Sequence, residues 1–133
     1  MMKTALAMLV GLTVSAPVPT PVLAHTQEPD AATCAAIFDT YDSADRHIAI
    51  LTAEFDAAAG DPPAQALYQQ RIGNWMLDKS NMLQLAQLEH CPLPAGRTFG
   101  PVQYQRRAER CLFDRQNGNP NSRNCDVTRW GAE

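Results

Sequence analysis

The chain has 133 residues, a formal net charge of -3 and four cysteines, with no basic excess of the kind that nucleic-acid binding needs. Residues 25–133 suffice for one small domain with a modest core, so two disulfides are an expected supplement. Beyond the start of the chain no apolar run is long enough for a transmembrane helix, so no membrane span is expected in the mature protein.

Met1-Met2-Lys3 is a short basic start, and Thr4 to Val14 is apolar but too short to span a membrane. Val22-Leu23-Ala24 follows a proline-studded stretch and offers a cleavage site before His25. Residues 1–24 therefore read as a cleavable signal peptide, and the mature chain is expected in the periplasm or outside the cell. In such a compartment Cys34, Cys91, Cys111 and Cys125 read as two disulfides. Four cysteines allow three pairings.

The apolar positions Cys34, Ile37, Tyr41, Ala44, Ile48, Leu51, Phe55 and Ala58 alternate steps of three and four, which predicts one long helix. Asp30 after Pro29 is its expected N-cap, and Gly60 suits a left-handed closing residue. Asp61-Pro62-Pro63 starts a second helix at once, ended near His90 by Cys91-Pro92. Its expected apolar stripe holds Ala64, Tyr68, Ile72, Trp75, Met82, Leu83 and Ala86, with Leu67 and Leu85 on the flank. Lys79 falls inside that stripe, so it either snorkels out or meets Asp42 or Asp45 across the seam.

So short a turn forces an antiparallel hairpin over about residues 30–90. Cys34 and Cys91 are equidistant from that turn, which favours a Cys34–Cys91 staple and leaves Cys111–Cys125 by elimination. A third helix is expected over about 102–115, with Tyr104, Ala108, Cys111 and Leu112 on one face. Residues 116–133 are rich in asparagine and read as a disulfide-closed loop or a loose tail. The expected fold is all-α.

Tyr41, Asp45 and Ile48 on the first arm, with Trp75 and Lys79 on the second, have a register similar to that of exported proteins of the LprI type, which are lysozyme-inhibitor-like. Leu83 stands where that pattern has a cysteine, so the likeness stops there and no membership follows.

Charge is divided along the chain. From His25 to His90 there are ten acidic residues against three basic ones, whereas from Cys91 onward seven arginines face four acids. The two halves either pack on one another or form a domain with an anion-seeking end. Arg106, Arg107 and Arg110 are the densest basic cluster and the expected binding residues for an acidic protein partner. Asp39, Asp42 and Asp45 recur every third residue and read as a solvated face.

A chain cut before His25 presents an amine and an imidazole that chelate copper, but only His47 and His90 remain as further histidines. No cofactor or metal is expected, and there is no phosphate loop, nucleophile elbow or His-Glu-x-x-His. The expectation is an interaction protein of a bacterial-type cell envelope: an inhibitor, adaptor, immunity factor or small chaperone. A small-ligand or copper carrier is the alternative, and an enzyme ranks last. Two incompletely covered arms also predict a homodimeric four-helix bundle.

Overall fold

A carboxylate, a hydroxyl and a proline set the ends of the first two helices in the computed structural model, which describes residues 28–131. Helix α1 spans Ala31–Ala57 and α2 spans Pro62–Leu88. Each is about 40 Å long at 1.5 Å per residue. Asp30 is the N-cap of α1, yet its side chain takes no amide hydrogen. Its Oδ2 instead accepts the Thr33 hydroxyl at 2.6 Å, which draws the carboxyl below its ordinary pKa. Asp61 does cap conventionally, accepting the Ala64 amide at 3.3 Å. Gly60 reverses the chain at φ +90°, a conformation that side chains rarely adopt.

The far end of α2 closes differently. His90 takes φ +56°, and the Cys91 amide donates back to the Ala86 carbonyl at 2.8 Å. This Schellman closure turns Cys91 towards α1, where it is joined to Cys34. Cys111 is joined to Cys125. The first pairing is the one the hairpin geometry favours, and the second is the one left by elimination.

After the connecting segment a 3-10 turn at Pro101–Tyr104 leads into α3, Gln105–Gln116. Two further 3-10 turns, Arg123–Cys125 and Val127–Arg129, complete an all-helical fold with no strand among the described residues. The hairpin and the α3 region share one central element. α2 packs along one side of α1, and the first 3-10 turn, α3 and the Val127–Arg129 turn pack along another.

The larger core gathers Ala49, Ile50, Leu51, Tyr104, Ala108, Cys111 and Trp130, with Tyr68, Ile72 and Trp75 of α2 closing over it. A smaller one near the open end joins Ile37, Phe38 and Ala86 to Phe99. Trp130 is buried and its indole Nε1 donates to the Asn124 carbonyl at 3.0 Å, so the described part of the tail, up to residue 131, is docked and not loose.

Leu83 departs from its expected place. It is 42 % exposed, because Met82 and Ala86 continue the seam of Trp75 and Lys79 and leave Leu83 on the flank. Leu77 and Leu88 are also exposed on α2. No helix among the described residues is long and apolar enough to cross a membrane. The stretch expected to be a cleavable signal peptide, residues 1–24, and His25 lie outside the described residues.

Candidate functional site

Two carboxylates on α1 bind α2 and the segment that leads into α3. Asp42 and Asp45 are buried, where the aspartate triplet of the sequence suggested a solvated face. Only Asp39 of the three stays exposed. Asp45 Oδ2 accepts the Gly100 amide at 2.9 Å, and its Oδ1 is met by Lys79 Nζ at 2.6 Å as an ion pair, with no other partner. Lys79 also lies 4.9 Å from the centre of the Tyr41 ring. Burial alone would lower the lysine pKa, but Asp45 and then Tyr41 outweigh it and raise it above the ordinary value.

Asp42 receives the Tyr104 hydroxyl at 2.6 Å, Arg46 Nε at 3.0 Å and Gln103 Nε2 at 3.4 Å. Tyr104 is pushed up in pKa by burial first and by this carboxylate second. Arg46 then reaches on to the carbonyls of Val127 and Thr128, at 3.3 and 3.4 Å, and so ties the chain end to α1. These bonds carry the start of α3 and the last turn on one buried acidic pair.

The arginines divide between pairs with the hairpin, a local pair and the outer flank of α3. Arg97 lies 3.6 Å from Asp39 and 3.8 Å from Asp42, Arg115 pairs with Glu54, and Arg129 pairs with Asp126 at 3.2 Å. The acidic and basic halves of the chain therefore do pack together through Arg97 and Arg115. Arg106 and Arg110 instead project from the outer flank of α3 and are exposed, with Arg107 half-buried beside them.

That flank borders two adjoining clefts. One, of about 300 Å³, is lined by Gln103, Arg106, Arg107, Arg110 and Asn124. The next, of about 460 Å³, is lined by Arg107, Asn119, Ser122, Arg123, Asn124 and Arg129. Arg107 and Asn124 belong to both, and no carboxylate among the described residues lines either. Asp114 supports this surface from beneath. It binds the Ser122 hydroxyl and accepts Asn124 Nδ2 at 2.9 Å, and these two bonds, in that order, hold its carboxyl below the usual range. Cys111–Cys125 anchors the same segment to α3.

The arrangement presents guanidinium forks, amides and a hydroxyl to one region of solvent, which suits carboxylate or phosphate oxygens. The sequence singles out Arg106, Arg107 and Arg110. It also groups Arg97, Arg115, Arg123 and Arg129 around them. The tail, however, has no periodicity from which to tell that Arg123 and Arg129 line the clefts while Arg97 and Arg115 turn to the hairpin.

His47 is stacked on Trp75, with ring centres 4.1 Å apart and planes 15° from parallel, and its Nδ1 lies 2.7 Å from the Ser43 carbonyl. His90 is exposed at the end of α2. Among the described residues no group of three or more histidine, cysteine, aspartate or glutamate side chains is disposed to hold a metal ion. No protein-family model, characterised protein or solved structure matches the chain.

Proposed function

We propose that this chain is an exported interaction protein of the cell envelope, acting in the periplasm or outside the cell. It holds an acidic protein partner through the arginine flank of α3. One observation carries the reading: two connected clefts share Arg107 and Asn124, and their described linings are basic or neutral throughout. Arg106 and Arg110 are exposed there, whereas Arg97 and Arg115 of the same half are engaged with the hairpin. Arginine is enriched at binding hot spots, where its truncation costs upwards of about 2 kcal/mol. Two disulfides support an oxidising compartment. Inhibitor, adaptor, immunity factor and small chaperone all remain within this reading.

The test is affinity capture from envelope extract with the wild type and an Arg106→Glu/Arg110→Glu variant of verified stability. A partner recovered by the wild type and lost by the variant supports the proposal. Equal recovery of the same partner by both rejects it. Homodimerisation through the exposed leucines of α2 belongs to the same proposal, and light scattering that returns a monomer mass removes it.

A further inference from the structure

The next flank of α3 faces a different surface. Between α3 and the last turns of α1 runs a half-open groove of about 520 Å³. Ala49 and Ala53 lie on its α1 side, and Leu112 and Phe113 on its α3 side. Val102 and Phe113 are 78 % and 64 % exposed at its margin, a large apolar surface left to water. Asp56 stands on one wall and Glu109 on the other, both exposed, and no described basic residue lines the groove. Neither carboxylate has an ion-pair partner among the described residues, and Glu109 accepts only the Gln105 side chain at 3.2 Å.

We infer that this groove takes a basic amphipathic helix from a protein partner. Two helices already form its walls, and small side chains on α1 let a third helix approach closely. From Ala49 to Ala57 the floor runs about 12 Å, which matches about two turns of bound helix. Apolar side chains one turn apart fill the space between Leu112 and the alanines. Lysine or arginine on each shoulder of that helix reaches Asp56 or Glu109, so charge selects the partner. The groove shares no lining residue with the arginine clefts.

The probes are a synthetic amphipathic 14-residue peptide of leucine and lysine and its counterpart with glutamate in place of lysine. Each is labelled and titrated into the oxidised full chain, with fluorescence anisotropy as the readout. The wild type is expected to bind the lysine peptide at least about tenfold more tightly than the glutamate one. Asp56→Lys/Glu109→Lys inverts that order. Thr52→Trp, an exposed position on the lining, fills the groove and abolishes the binding while the melting curve is retained. Arg106→Glu/Arg110→Glu keeps the preference for lysine, which separates this site from the proposed acidic-partner surface. Equal binding of the two peptides, undiminished binding by Thr52→Trp, or occupation of the groove by a second copy of the chain overturns the inference.

Discussion

Lys79 of α2 crosses the hairpin to stand 2.6 Å from a carboxylate oxygen of Asp45, a residue with no exposed surface. The pair lies inside an otherwise apolar seam between Trp75 and Met82. Removing one charge strands the other. Lys79→Met is therefore expected to cost about 3–5 kcal/mol, and Asp45→Asn/Lys79→Met less than the single change. Chemical denaturation of the three proteins checks the order, which is inverted if the pair is dispensable.

The same pair sets an alkaline limit. The folded-state pKa of Lys79 is raised, so its contribution is complete below the ordinary lysine value of about 10.4 and is lost as pH climbs through the raised one. Tyr104, also raised, has the same sign. Denaturation midpoints are expected to fall above about pH 10, and less steeply in Lys79→Met.

Cys34–Cys91 clamps the open end of the hairpin, across 57 residues of chain. Cys91→Ser is expected to cost about 2–5 kcal/mol, read from thermal unfolding beside non-reducing peptide mapping of the wild type.

Much of this frame is legible locally. Unbroken steps of three and four mark α1, and Gly60-Asp61-Pro62 marks the turn. Equal spacing from that turn brings the two cysteines together. What stays hidden is the second covering of α1. Asp42 and Asp45 look solvated because their partners Gly100 and Tyr104 lie 55 and 62 residues away, in a stretch with little periodicity. The arginines divide for a related reason. Arg115 faces Glu54 of α1, whereas Arg106 and Arg110 sit round the helix from the buried line of Tyr104, Ala108 and Cys111. Leu83 shows that a one-residue step takes a leucine off a seam.

His90 holds a left-handed conformation that glycine adopts without strain, and its side chain is exposed. His90→Gly is expected to raise stability by roughly 1 kcal/mol, measurable as a higher melting temperature.

Trp130 anchors the end of the chain against Tyr104, with ring centres 5.9 Å apart. Trp130→Ala is expected to cost about 3–5 kcal/mol, while Phe113→Ala, at an exposed position, changes stability by less than about 0.5 kcal/mol. Equal melting of the two variants contradicts a docked chain end.

The most direct measurement of the binding proposal is an amide NMR titration of the oxidised protein with a synthetic glutamate-rich peptide. Saturable shifts are expected at Gln103, Arg106, Arg107, Arg110, Asn119 and Asn124, lining the two clefts, and these are absent from Arg106→Glu/Arg110→Glu. Shifts of equal size in that variant, or shifts centred on α2, contradict an acidic-partner site on α3.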